Sequence, residues 1–457
     1  MSLELLTEIY NLFDPFQPPP EEAYVDCQEV RGGWEVVREL GRKIERSKKK
    51  PTCQLYSGHR GVGKSTELLR LKDYLERQKY KGVYFAANKE DIEPQDTEYA
   101  DILFACVRNL VISVEIKQEK NPLLKWMQSR WQWLKDFALT EYEFENLSLE
   151  AQITQFAKIS SNLRAVPDKR REFRQRLNAN TQSLVEALNE FISEMGTKLP
   201  QDCNGIVLIA DNLDRIAETK EEGKPSNYEE IYLNRSEILR GLACHVIYTV
   251  PIAMVYSGRA TQLEDNYDQP DVLPMVMVRN PDGSENTKGL AKLRELICQR
   301  VSLIEPNLTR TLEGAVEGLN YPPVFDSPET VKQLCLMSGG HVRNLMQMLQ
   351  KAMDWVDELP ITARAVRRAI AEARETYEQR TVQEHQWEIL AKVYSQKQRD
   401  NDEEHLSLLL NRCILEYRYY ENEGQDDEKL VTWCNVHPLI EGIPKFQDSL
   451  EKLNTSS

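Results

Sequence analysis

The sequence predicts an α/β fold built on a mostly parallel sheet of about five strands, and three observations carry that reading. Short apolar runs alternate with helical patterns between residues 52 and 278, as expected of helices packed on both faces of such a sheet. A glycine-rich turn, Gly58-His59-Arg60-Gly61-Val62-Gly63-Lys64-Ser65, stands between the first strand and a long helix. A fully apolar strand over residues 206–210 ends on Asp211.

The elements follow in order. A short N-terminal helix is separated from the body by the stiff segment Phe16-Gln17-Pro18-Pro19-Pro20. Residues 34–49 have helical spacing and finish in a basic run before Pro51. A strand over 52–56, the glycine-rich turn and a helix over 64–78 come next, then a strand over 82–87 and a helix over 99–114. Residues 118–200 are helical and rich in Trp, Gln and Arg, which reads as an insertion because the strand pattern resumes at 205–210. Further strands at 245–250 and 272–278 complete the sheet.

Beyond residue 303 the strands stop, and 308–356 read as three short helices around Pro322-Pro323 and Ser338-Gly339-Gly340. The tail looks like a separate unit, with helices at 361–378, 383–396 and 404–411. Two β-like segments follow, at 413–420 and 429–434, joined by the polar turn at 421–428. Helices followed by a two-stranded wing suggest a winged-helix domain. The chain therefore divides into an N-terminal arm and helix (1–50), an α/β core (51–304), a helical lid (305–360) and a winged-helix-like domain (361–457).

The glycine-rich turn fits GxxxxGK[ST] at every fixed position. Glycines let successive backbone N–H groups converge on phosphate oxygens, and the following helix aims the positive end of its dipole at the same anion. The candidate phosphate-binding residues are Gly58, His59, Arg60, Gly61, Val62, Gly63, Lys64, Ser65 and Thr66. Lys64 can reach the outer phosphates, and the Ser65 hydroxyl can ligate Mg²⁺. Asp211 brings a carboxylate to the same edge of the sheet and is the second candidate Mg²⁺ residue, through water. Asn212 follows it, and an amide cannot act as a base. Asp214 is the nearest alternative carboxylate, either as a group that activates water or as the N-cap of the next helix. Thr249, at the tip of a strand before Pro251, either senses the terminal phosphate or simply ends the strand. Arg343, in the first turn of a helix after Ser338-Gly339-Gly340, either swings onto the phosphates or is a solvated surface residue.

These four motifs, in this order, resemble P-loop NTPases of the AAA+/STAND division over roughly residues 25–360. The pairing of Asp211 with Asp214, without Glu at 212, is closest to the STAND and KAP-type members. Val30-Arg31-Gly32-Gly33 is loosely similar to a motif that contacts adenine in that family. The resemblance implies ATP as ligand, Mg²⁺ as cofactor and a lid that closes on nucleotide. It also implies a slow, switch-like ATPase cycle tied to oligomerisation or to a protein partner, as in bacterial defence or stress signalling. Arg235, Arg240 and Arg259 are the candidates for an arginine donated to a neighbouring subunit. The alternative is a DNA-associated initiator or loader-type ATPase.

Charge bears on that alternative. The 457 residues hold 58 Lys+Arg against 73 Asp+Glu, a formal net charge of −15. Such a balance disfavours an indiscriminate nucleic-acid binder. Residues 401–457 carry five Lys/Arg against twelve Asp/Glu, which argues against DNA binding by the tail. Basic charge collects instead at 42–50 and 161–176, the latter downstream of Trp126, Trp131 and Trp133. Those aromatics either stack on bases or pack a core, and both basic runs are either binding patches or solvated helix faces. No apolar run reaches the ~18 residues of a membrane-spanning helix, and no signal peptide opens the chain. Nine scattered cysteines without a CxxC pair and six isolated histidines suggest a reduced, cytoplasmic protein without disulfides or zinc.

Overall fold

A computed structural model of the chain describes residues 2–47, 50–113, 122–138, 148–200, 202–220, 222–314, 316–318, 322–422 and 427–456. Seven strands are present among them: β1 (Cys53–Gly58), β2 (Tyr80–Ala86), β3 (Gly205–Asp211), β4 (His245–Thr249), β5 (Asp271–Leu273), β6 (Ile414–Glu421) and β7 (Lys429–Val436). The first five form one sheet in the order β2-β3-β4-β1-β5, and all its pairings are parallel. This is the α/β P-loop fold expected from the sequence.

Alternation along the strands sorts the core onto two faces. Leu55, Val83, Phe85, Leu208, Val246 and Tyr248 pack on one side, against the helix Tyr99–Ser113. Tyr56, Val207, Ile209 and Ile247 pack on the other, against Leu68, Leu71 and Leu75 of the helix Lys64–Arg77. The register sets Asp211 beside Ala86 and Thr249 beside Tyr56. The ends of β1, β3 and β4 therefore share one edge, where ligands of open α/β sheets bind.

The fifth strand is shorter than the sequence suggests, covering Asp271–Leu273 rather than 272–278. Pro274 has no N–H to continue the ladder. Beyond it the chain leaves the sheet: Met275 N donates to Glu416 O at 3.3 Å, and Met277 N donates to Val30 O at 3.0 Å. Gly340 packs on this segment so closely that a Cβ there would sit 1.7 Å from Val276 O.

Among the described residues the insertion contains five helices, Pro122–Ser129, Trp131–Ala138, Leu149–Ala165, Pro167–Asn178 and Thr181–Lys198. Parts of that reading, residues 118–121 and 139–147, lie outside the described residues, as do 48–49 of the first basic run. Trp126 and Trp131 are buried, and Phe137 meets Phe173 with ring centroids 5.3 Å apart. Trp126 and Trp131 thus pack a core, and the half-buried Trp133 lies against Phe137 and Phe173 at its edge. Two of the six cations in the basic run 161–176 are taken up inside the fold. Arg170 and Arg174 are 4% exposed, each 2.7 Å from Asp96, and Arg174 lies 2.6 Å from Asp101. That pairing removes Arg170 and Arg174 from the surface, while Arg171 of the same run remains exposed.

The lid helices Pro328–Met337 and Val342–Met353 follow, although 315 and 319–321 lie outside the described residues. In the tail, helices Ala363–Thr376, Gln386–Gln396 and Glu403–Leu410 lead to the antiparallel pair β6–β7, closed from Ile414↔Val436 to Glu421↔Lys429. Residues 423–426 of its acidic turn lie outside the described set. Two helices not foreseen from the sequence, Pro438–Glu441 and Pro444–Ser456, complete the tail. The tail packs against the α/β core. Leu415, Tyr417 and Trp433 of the β-hairpin share a core with Val62 and Leu68 of the phosphate-loop region. No helix among the described residues is long and apolar enough to cross a membrane.

Candidate functional site

A cavity of about 490 Å³ opens at the C-terminal edge of the sheet. Its floor is the glycine-rich turn between β1 and the helix Lys64–Arg77. Gly58, Gly61 and Gly63 take φ values of +141°, +90° and +112°, which only glycine adopts without strain. Residues Arg60 through Thr66 line the cavity, while Gly58 and His59 lie behind it. The lining includes seven cationic side chains (Arg31, Arg60, Lys64, Lys89, Arg215, Arg300 and Arg343) against the carboxylates Asp14, Glu67 and Asp214. That imbalance and the helix N-terminus together suit a polyanion.

Lys64 is held from two sides. Its Nζ donates to Gly58 O at 2.8 Å and His59 O at 3.0 Å, and lies 3.0 Å from Asp214 Oδ2, both side chains 5% exposed. Asp214 Oδ1 has no hydrogen-bond partner although it is buried. Arg60 fixes the backbone of the same turn, its Nε donating to Asp214 O at 3.0 Å.

Asp211 is fully buried at the end of β3. Oδ1 accepts from Asn212 N at 2.7 Å, and Oδ2 accepts from the Tyr84 hydroxyl at 2.7 Å. Burial first, then the neighbouring Asp214 charge, push its carboxyl up, and hydrogen bonds from Ser65 and Tyr84 oppose that shift. Burial and the Asp211 charge push the Tyr84 phenol far above its ordinary range, so it is a fixed donor. Asn212 adopts φ +64°, the left-handed turn that swings the chain toward Asp214.

Thr249 does not present its hydroxyl to the cavity. It is fully buried, accepting from Leu213 N at 2.9 Å and donating to Ala210 O at 3.4 Å. Its place beneath the turn that carries Asp214 corrects the expectation of a phosphate contact. Arg343 does line the cavity. Its Nε donates to Pro15 O at 3.0 Å, and its guanidinium lies 5.6 Å from the Phe16 ring centroid. Burial, with Arg215 and Arg412 adding like charge, lowers it to about 10, so it remains a cation at neutral pH. Arg235, Arg240 and Arg259 are exposed and stand outside the cavity lining. Arg235 pairs with Glu230 and Arg259 with Glu229.

The lid is seated on the glycine-rich turn. Arg343 N donates to Gly61 O at 3.1 Å. His341 Nδ1 caps its own helix by accepting from Asn344 N, which leaves Nε2 to donate to Arg60 O at 2.6 Å. A Cβ at Gly61 would stand 2.7 Å from Arg343 Cβ and 2.8 Å from His341 Cε1. On the far side of the turn, His59 Nε2 accepts from Glu416 N at 3.2 Å. His59 thus turns its side chain away from any phosphate and toward β6.

Arg31 confirms the proximity, though not the role, of the Val30–Gly33 segment: its guanidinium donates to Val62 O at 2.7 Å. Sequence reasoning missed Tyr84, Arg215, Arg300 and the N-terminal arm residues Pro15 to Pro19 as cavity lining. No contiguous motif marks them; strand register and long-range packing bring them there.

The group implied by the motifs fits this site. The glycine cradle admits phosphate without a Cβ in the way, and Lys64 with the arginines supplies counter-charge. Ser65 and Asp211 offer the hard oxygen donors that Mg²⁺ prefers.

No family model and no curated protein matches the chain. Solved structures similar to it include Cdc6p from Pyrobaculum aerophilum, 11% identical over 97% of this chain and 98% of that one at a TM-score of 0.39. The ORC2 protein of Aeropyrum pernix is 13% identical, with 98% of each chain covered and a TM-score of 0.41. A Walker-type ATPase of Pyrococcus abyssi is 15% identical over 96% of this chain and 99% of that one, at a TM-score of 0.40.

Proposed function

We propose that the chain is a Mg²⁺-dependent ATPase of the P-loop class, with a slow cycle governed by its own Asp214. The observation that carries the reading is the position of Lys64, at a helix N-terminus inside a glycine cradle, facing a cavity rich in cationic side chains. Bound Mg²⁺ would supply charge neutralisation at the outer phosphates, held by Ser65 and, through water, by Asp211. The chain's own residues do the rest. Backbone N–H groups of residues 60–65 receive the phosphates, Lys64 donates to them, and Arg343 closes the cavity from the lid.

Asp214 is the candidate base. In the free chain Oδ2 of its carboxylate is paired with Lys64 while Oδ1 is unpartnered, and phosphate taking the place of Oδ2 on the ammonium would free the whole carboxylate to accept a proton from water. That exchange slows the cycle and makes it sensitive to occupancy. The absence of a carboxylate at Asn212 supports the same slow, STAND-like reading. Lys64→Ala removes the central donor, and Mg·ATP binding should be lost. Wild-type affinity in that variant overturns the assignment.

Two downstream roles remain in play: a switch acting through oligomerisation or a protein partner, and a DNA-associated loader. The docking of β6 on His59, and of the lid on Gly61, supports a nucleotide-sensitive tail. Light scattering after size exclusion, with and without ATP and then with duplex DNA, separates the two. Assembly on ATP alone supports the switch, and assembly that needs DNA supports the loader.

A further inference from the structure

Tyr84 lies outside every motif in the sequence, yet its hydroxyl reaches the edge of the sheet where Asp211 stands. The register explains how. Ala86 is the Cα partner of Asp211, and Tyr84 precedes it by two residues, so Tyr84 shares the face of Ala86 and leans along β2 toward the cavity. Its ring packs beside the core that includes Val207, Ile209 and Leu68, while its tip lines the cavity.

Asp211 needs such a partner. Its carboxylate is fully buried, and the nearby cation Lys64 is committed to Asp214. Apart from the hydrogen-bonding neighbour Ser65, the donors to Asp211 are its own neighbour's N–H and the Tyr84 hydroxyl, each at 2.7 Å. The N–H fixes Oδ1. The phenol fixes Oδ2 and so sets the rotation of the carboxyl plane. The Ser65 hydroxyl lies close enough to act electrostatically on both Tyr84 and Asp211, so the three groups gather at the head of the phosphate-binding helix.

We propose that Tyr84 is a positioning residue for divalent-metal binding, orienting the Asp211 carboxylate so that, through water, it joins Ser65 in holding one Mg²⁺. This rests on the ATPase reading above. Outer-sphere partners of this kind change metal affinity by roughly 10- to 100-fold when removed.

The test uses the full chain with Tyr84→Phe, which keeps the ring and removes only the hydroxyl. Fluorescent ADP is titrated in EDTA and then across a range of Mg²⁺ concentrations. The affinity in EDTA and the melting temperature should match wild type, while the Mg²⁺ concentration for half-maximal response should rise on the order of tenfold or more. In an Asp211→Asn background the same change should have no further effect. Mn²⁺ binding to the ADP-loaded proteins, followed by electron paramagnetic resonance, gives a second readout and should weaken in parallel. An unchanged metal response overturns the proposal, as does an equal shift in the Asp211→Asn background or a loss that appears equally in EDTA. Failure of the wild-type chain to bind ADP in any condition overturns the ATPase reading itself, an outcome distinct from the others.

Discussion

Replacing Asp214 with Asn probes how the free chain holds its phosphate-binding lysine. Lys64 Nζ and Asp214 Oδ2 are 3.0 Å apart, with each side chain 5% exposed. Removing one partner of a buried pair leaves the other charge uncompensated, at a cost of about 3–5 kcal/mol. The carbonyls of Gly58 and His59 still accept from the ammonium, so the lower end, about 3 kcal/mol, is expected for an amide of the same shape. Nucleotide phosphate restores the missing negative charge, so the loss falls on the free form alone. By linkage the same energy returns as tighter binding, about 100-fold at 1.4 kcal/mol per tenfold. The assay is urea unfolding of both proteins with and without ADP in EDTA, beside a fluorescent-ADP titration. Turnover should fall in the same variant, because the candidate base is gone. An Asn variant that unfolds at the wild-type urea concentration, or binds ADP no more tightly, refutes the idea that Asp214 and phosphate compete for Lys64.

Three further expectations follow from the same geometry. Gly61→Ala should lift the lid from the phosphate loop, since its Cβ would meet Arg343 and His341 inside 3 Å at a φ of +90°. Strain of about 1–3 kcal/mol should weaken ADP binding by roughly tenfold or more, and unchanged affinity would count against lid docking. His59 and His437 are buried neutral, each lowered to about 3 by burial and by nearby cations. Below about pH 6.5 the unfolded chain takes up protons that the folded chain refuses, so stability falls as pH falls. The loss is about 1.4 kcal/mol per pH unit for each histidine. Urea midpoints at pH 7.5 and 5.5 check the sign, and a flat profile contradicts it. Finally, Lys64→Ala should eliminate the ADP-induced rise in melting temperature.

Contiguity decided what could be read from the sequence. The phosphate loop is one run of residues between a strand and a helix, and the strand ending in Asp211 is another, so both were legible as a strand, turn and helix and as a strand end at one edge of the sheet. Thr249 was legible as a strand end, but which way its hydroxyl points depends on the turn carrying Leu213, across β3 from β4. Tyr84 required the β2–β3 register, which no single-strand pattern contains. The basic run at 161–176 looked like a binding patch because its partners, Asp96 and Asp101, lie some seventy residues earlier. The end of β5 at Pro274 was written in the sequence, yet the apolar residues after it suggested a longer strand. Their apolarity serves instead the seam between the core, the lid and the hairpin. The helix Pro444–Ser456 was hidden by short, proline-broken patterns in the preceding residues.

The contact between Glu416 and His59 spans 357 residues of chain. At synthesis rates of about 5–20 residues per second, the phosphate loop leaves the ribosome tens of seconds before the strand that backs it. During that interval β1 and β4 can pair, but the hydrophobic face around Val62 and Leu68 has neither Tyr417 nor Trp433 to cover it. A nascent chain of this protein thus carries that apolar face uncovered until β6 and β7 have emerged from the ribosome. Faster elongation at the 3′ end of the message, which shortens that wait, or a chaperone that shields the exposed face during it, should raise the yield of folded protein.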